Sequence, residues 1–155
     1  MNYWLFKSEP QCFSIDALSK RPKRTEHWDG VRNYQARNML RDQIEKGDRG
    51  FFYHSSCTPP GIAGVVEVVK EGYPDFTAWD SQSDHYDPDS TPDHPRWFMV
   101  DVKLVEKFPR LITLDEIKSN AALHEMIILR KGNRLSITPV TSSEWKAIMK
   151  YKDRM

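Results

Sequence analysis

The sequence predicts an α+β domain built on a curved or closed sheet. Strand-like runs and short helices are mixed along the chain without regular βαβ alternation. Residues 96–108 read as a clear strand, with Phe98, Val100, Val102 and Leu104 on one face and Trp97, Asp101 and Lys103 on the other. Two Thr-led capping boxes announce short helices in the last third of the chain.

Residues 2–7 form a short aromatic-rich strand that stops at Ser8-Glu9-Pro10. Ser14 caps a short helix with Ile15 and Leu18 on one face. Residues 20–24 are a basic loop broken by Pro22. Asn33 is a good N-cap for a helix over residues 34–45. Ala36, Met39, Leu40 and Ile44 would face the core, and Tyr34, Arg37 and Arg41 line another side. Lys46-Gly47-Asp48 ends that helix with a turn.

Residues 51–54 read as a strand, Thr58-Pro59-Pro60-Gly61 as a turn, and the β-branched run 62–70 as a central strand. The connection 71–95 carries four prolines, and a loop of that length in a compact domain is functional or mobile. The capping boxes are Thr113-Leu114-Asp115-Glu116 and Thr141-Ser142-Ser143-Glu144, stapled by Ile112 with Ile117 and by Val140 with Trp145. Residues 126–129 and 135–138 are expected as the last strands, joined around Lys131-Gly132-Asn133. The final helix turns Trp145, Ile148 and Met149 inward. With no repeat or linker, residues 1–155 are expected to form a single domain.

The formal net charge is only +1, so the chain is no polycation. Its charge is nevertheless segregated. Residues 20–49 hold nine Lys/Arg against five Asp/Glu, whereas residues 74–95 hold six Asp and no Lys or Arg. One side is suited to phosphate and the other repels it. Cys12 and Cys57 are too few for a disulfide framework, so a reducing compartment is expected. No signal peptide is read at the N-terminus, and no run nears the ~20 apolar residues of a membrane span. The expected location is the cytoplasm in a bacterium or the nucleus in a eukaryote, with no membrane partner.

Catalytic signatures are missing. There is no P-loop or dinucleotide glycine loop, no Gly-x-Ser-x-Gly elbow and no paired-cysteine deaminase pattern. His54 and Cys57 lack the second ligand pair a zinc site needs, and His85 and His94 sit in a solvated acidic loop without EF-hand spacing. No metal or cofactor is expected.

The positive signal is Trp28-Asp29-Gly30-Val31-Arg32-Asn33-Tyr34-Gln35-Ala36-Arg37-Asn38. It combines stacking rings, amide hydrogen-bonding groups and cations at a helix start, the requirements of a single-nucleobase site. Arg32 and Arg37 suit phosphate. Lys7-Ser8-Glu9, His54-Ser55 and Trp97 are further polar or aromatic groups at strand ends.

Together with Tyr3-Trp4-Leu5-Phe6-Lys7-Ser8-Glu9-Pro10, Phe52-Tyr53-His54-Ser55, Pro60-Gly61-Ile62-Ala63-Gly64, Tyr86-Asp87-Pro88 and Pro95-Arg96-Trp97, this block resembles the EVE domain. The blocks run in order over nearly the whole chain. The resemblance implies a PUA-like β-barrel of five to six mostly antiparallel strands flanked by short helices. It also implies a non-catalytic reader that holds a modified base, most often methyl- or hydroxymethylcytosine flipped from DNA. On that basis Lys7, Ser8 and Glu9 are expected at a pocket's polar edge, with Trp28, Asn33 and Tyr34 as wall and amide contact. His54, Ser55 and Trp97 would close it, and Trp28 and Trp97 would be dispensable for folding. Alternatives are a reader of modified RNA, a nucleotide-processing enzyme using His54 or Glu9, and a scaffold that docks partners on the acidic loop.

Overall fold

In the computed structural model, which describes residues 1–155, the chain runs β1 (Tyr3–Ser8), α1 (Ile15–Ser19), β2 (Thr25–His27), α2 (Tyr34–Asp42), β3 (Arg49–His54), β4 (Gly61–Pro74), β5 (Phe98–Thr113), α3 (Leu114–Lys118), β6 (Ile137–Val140) and α4 (Ser142–Asp153). The six strands form one sheet in the order β2-β5-β4-β3-β1-β6. Every neighbouring pair is antiparallel except β1 with β3. The edge strands β2 and β6 are not paired with each other, so the sheet is bent rather than closed by hydrogen bonds. The bending follows from the 14 residues of β4 and 16 of β5, whose pairing shifts register at four points. Each shift is a bulge that kinks and twists the ladder.

Both faces of the sheet are buried, which explains the nearly continuous apolar strands. Trp4 and Phe6 of β1, Phe52 of β3 and Val66 and Val68 of β4 enter one core, covered by Ile15 and Leu18 of α1 and Ala36, Met39 and Leu40 of α2. The alternate residues Leu5, Phe51, Tyr53, Ile62 and Val65 enter the other, covered by Ile117 of α3 and Trp145 and Ile148 of α4. Both capping boxes form, and Ile112, Ile117, Val140 and Trp145 are buried as the staples require. Trp145 stacks on Phe51 at 4.0 Å and on Tyr3 at 4.4 Å.

Four local expectations are corrected. Residues 127–129 form a 3-10 turn rather than a strand, because the successive carbonyls of Met126 and Ile127 take N–H bonds from Leu129 and Arg130, three residues on. The last strand lies at Ile137–Val140, two residues beyond its expected place. β2 has only three half-buried polar residues and left no apolar alternation to read. α2 stops at Asp42 because the Met39 carbonyl accepts from both Gln43 and Ile44. The buried Asp48 carboxylate then holds the following turn, taking N–H bonds from Glu45, Asn2 and the Trp4 indole, each at 3.0 Å.

β4 runs on to Pro74, four residues further than expected, and β5 begins at Phe98, two residues later, so the long connection is residues 75–97. Asp75 anchors it. This fully buried carboxylate accepts from Gly30 N–H at 2.8 Å, Arg32 Nη1 at 3.0 Å and the Thr77 backbone N–H at 2.9 Å. Burial pushes the Asp75 carboxyl up, but bonds from Thr77, Gly30 and Arg32 outweigh it and hold the group below the usual carboxylate range. Asp75→Asn should therefore lower unfolding stability by about 2 kcal/mol, read by chemical denaturation, since charge-assisted bonds are lost from a buried site. An unchanged midpoint would remove Asp75 as the anchor.

His54 sits at the start of α1. The Ile15 N–H donates to His54 Nε2 at 3.1 Å, beside the Ser14 hydroxyl that accepts from Ala17 N–H. The neutral ring therefore carries its proton on Nδ1. Burial lowers the His54 pKa, Asp16 opposes the shift and Lys107 adds to it. The unfolded chain binds the proton more readily, so this stabilisation is whole above about pH 6.5 and is lost as pH falls through the lowered folded value. Melting curves between pH 7 and pH 5 should show a smaller acid-side loss for His54→Gln than for the native chain. Parallel pH profiles would contradict the assignment.

Candidate nucleic-acid interface

The end of β1 opens into a cleft of about 640 Å³, within the range of small-ligand sites. Lys7, Ser8 and Glu9 line one side. The chain turns there, with the N–H groups of Cys12 and Phe13 on the Glu9 carbonyl and the Ser8 hydroxyl donating to the Phe13 carbonyl at 2.6 Å. This turn sets the Phe13 ring into the wall. Arg21 lies over that ring at 5.4 Å and donates from Nε to Glu26 at 2.7 Å. β2 carries Glu26 and His27 along the opposite side, and Trp28 continues the line by donating its N–H to the Val100 carbonyl at 2.7 Å.

Trp28 is 7% exposed and belongs to the core as well as to the cleft. Phe6, Phe52 and Phe13 meet its ring edge-on at 5.3, 5.4 and 6.3 Å. The expectation that this indole is dispensable for folding is corrected: its packing fixes the wall that a ligand would meet. Gly30, at φ +79°, ends the wall. A Cβ there would stand 2.5 Å from the His85 ring, so only glycine lets the long connection close against the cleft. His85 Nδ1 lies 3.3 Å from an Asp29 carboxylate oxygen.

The cleft is more acidic than basic. Glu9, Glu26 and Asp29 outnumber Lys7 and Arg21, and Cys12, His27 and His85 complete its titratable lining. Burial lowers the Lys7 pKa. Both Glu26 oxygens are engaged, one by Arg21 and one by the His27 N–H. Asp29 has no such close donor and keeps accepting capacity toward the cleft. No three His, Cys, Asp or Glu side chains gather as a metal site needs.

Of the expected base contacts, the structure gathers Lys7, Ser8, Glu9 and Trp28 in the cleft and sets the others elsewhere. Asn33 caps α2 by accepting the Ala36 N–H at 3.0 Å. Trp97 is 6% exposed, donates Nε1–H to Asp87 at 2.6 Å and stacks on Tyr34 at 4.9 Å. Tyr34 is 53% exposed but covers Trp97 rather than the cleft. His54 serves α1, and Ser55 donates its N–H to the Ser8 carbonyl behind the wall.

The two expected phosphate ligands are committed to the protein. Arg32 binds Asp75, donates to the His85 carbonyl at 2.7 Å and lies over Trp97 at 5.3 Å. Arg37 donates to the Arg96 carbonyl at 2.9 Å and lies over Tyr34 at 4.9 Å. The ladder Arg32–Trp97–Tyr34–Arg37 is a brace for the long connection. Sequence reading missed Phe13, Arg21, Glu26, His27 and His85. Asp29 and Gly30 lay within the aromatic–amide block, whereas β2 gave no periodicity to place its residues.

A crystal structure of human THYN1 protein in complex with 5-methylcytosine-containing DNA superposes with a TM-score of 0.93 at 42% identity, covering 100% of this chain and 99% of that one. A hypothetical protein from Leishmania major superposes at 0.94 with 45% identity, covering 99% and 96%. Human thymocyte nuclear protein 1 is 43% identical, with 99% of this chain matched to 75% of that protein. The model of the EVE domain matches residues 2–151, and the chain belongs to the EVE domain family.

Proposed function

We propose that this protein is a non-catalytic reader of modified cytosine in DNA, holding the base flipped out in the cleft between β1 and β2. The observation that carries the reading is the cleft itself, in which the Trp28 and Phe13 rings share the lining with the Lys7 ammonium and the Asp29 carboxylate. The similarity to a human protein solved with 5-methylcytosine-containing DNA supports it.

Extrusion of a base costs a few kcal/mol. Stacking on an aromatic side chain returns roughly 1–3 kcal/mol, so backbone contacts must supply the remainder. The Asp29 carboxylate is the acceptor for the exocyclic amino group of cytosine. Lys7 supplies a donor for the ring carbonyl, and the 5-substituent rests on the Phe13–Trp28 wall. A methyl group buried on that wall gives about 1–3 kcal/mol of discrimination. A hydroxymethyl group gains more only where its hydroxyl finds a partner.

The enzyme alternative based on His54 and Glu9 loses its pairing, because the His54 lone pair is taken by Ile15 N–H outside the cleft. Mass spectrometry of the recovered strand after long incubation should show an unaltered base. A mass change would establish turnover.

Anisotropy titrations should use duplexes that differ only in one central cytosine, unmethylated or 5-methylated. The native protein should prefer the methylated duplex by about tenfold to two-hundredfold. Trp28→Phe, which keeps the ring packed, and Asp29→Ala should each weaken that complex about tenfold. Trp97→Phe should leave the methyl preference unchanged because Trp97 lies outside the cleft. Equal affinity for both duplexes would contradict the reading. Tighter binding to the matched RNA would favour the RNA alternative.

A further inference from the structure

The two lips of the cleft have opposite charge. Arg21 in its wall belongs to Lys20-Arg21-Pro22-Lys23-Arg24, the segment joining α1 to β2. Lys20, Lys23 and Arg24 are exposed, and none enters an ion pair, whereas Arg21 is held by Glu26. Lys103 of β5 is exposed beside them, opposite Thr25 in the ladder. Lys23 and Arg24 both have positive φ, 56° and 54°, a backbone conformation that residues with a Cβ seldom adopt, here in two successive cations. The other lip is the connection that delivers His85. Asp80, Asp84 and Asp93 of that segment are exposed and unpaired, and residues 74–95 contain no Lys or Arg.

A nucleic-acid strand delivering a base to this cleft must place phosphates next to its mouth. The cleft interior has more carboxylates than cations, and Arg32 and Arg37 have their donors on protein acceptors. Lys7 is taken by the base in this reading, and the remaining free cations that adjoin the lining along the chain are Lys20, Lys23 and Arg24, on either side of Arg21. We infer that the loop Lys20–Arg24, with Lys103, is the phosphate-binding lip that seats the DNA backbone while the acidic connection keeps that backbone off the other side. This inference rests on the reading of the cleft as a base site. It adds the polarity of the complex: the strand runs along the β2 edge, with affinity supplied by the loop and base discrimination by the cleft wall.

The test is the salt dependence of binding to the methylated and unmethylated duplexes, measured from 50 to 200 mM KCl. The variant Lys20→Gln/Lys23→Asn/Arg24→Asn removes three cations, and asparagine tolerates the left-handed backbone at 23 and 24. A control, Lys146→Gln/Lys150→Gln, removes two exposed charges from α4, which packs on the other face of the sheet. Melting temperatures identify any variant that has lost its fold. Should the triple variant unfold, Lys103→Gln alone carries the comparison, with a proportionately smaller change.

The loop variant should bind both duplexes at least about tenfold more weakly. The magnitude of its salt slope should fall by about 2 to 3, and the ratio between the duplexes should be unchanged. The α4 control should match the native slope. An unchanged slope in the loop variant overturns the inference, as does an equal fall in the control or a loss confined to the methylated duplex. A native protein that binds both duplexes equally refutes the cleft as a base reader, and the slope comparison still decides the loop.

Discussion

The arrangement of the cleft depends on the buried Asp75 carboxylate. Gly30 and Arg32 donate to it from one segment, forty residues and more away, and Thr77 from its own turn. Those bonds tie the segment after β2 to the start of the long connection. They also place Gly30 where the His85 ring can close on the backbone. A buried carboxylate is tolerable only with such a set of donors. The same bonds explain why Arg32 is unavailable to a ligand, because its guanidinium neutralises Asp75 and spans to the His85 carbonyl. The brace is completed by Trp97 and Tyr34, whose aromatic faces sit between Arg32 and Arg37.

The sheet supplies a second constraint. Because α1 and α2 cover one face and α3 and α4 the other, neither broad face of the sheet is left as a binding surface. The cleft lies instead at a strand end, where β1 turns away at Ser8 and β2 gives way to Trp28. Trp28 is consequently both interior and wall. Edge-on packing by three phenylalanines holds its ring before any ligand arrives, and such preorganisation reduces the entropic cost of binding. Conservative replacement of that ring separates recognition from stability, whereas truncation to alanine would mix the two.

Much of the architecture was legible in the sequence because its signals are local. Asn33, Thr113 and Thr141 each cap the helix they were expected to cap, and the alternation from Phe98 to Leu104 sits on β5 as read. Residues 126–129 misled because a four-residue apolar run has no period that separates strand from buried turn. β2 was invisible because its pairing with β5 is the only thing that makes it a strand. The site was legible by composition but not by geometry. Asn33, Tyr34, Trp97, Arg32 and Arg37 carry the residue types of a base site, yet a helix cap, a ring stack and a buried carboxylate claim them first. Apart from the Asn33 cap, those claims arise from partners more than forty residues away, such as Asp75 for Arg32, which spacing along the chain cannot reveal.

The proposed base cleft and the Arg32–Trp97–Tyr34–Arg37 brace thus share residue types but are separate places in the fold. A crystal structure of the protein with a duplex bearing one 5-methylcytosine distinguishes them directly. The account predicts the methylated base out of the helix and against Trp28 and Phe13, with its amino group within hydrogen-bond distance of the Asp29 carboxylate. A base still stacked in the duplex, or one lodged against Tyr34 and Trp97 with the cleft unfilled, would contradict it.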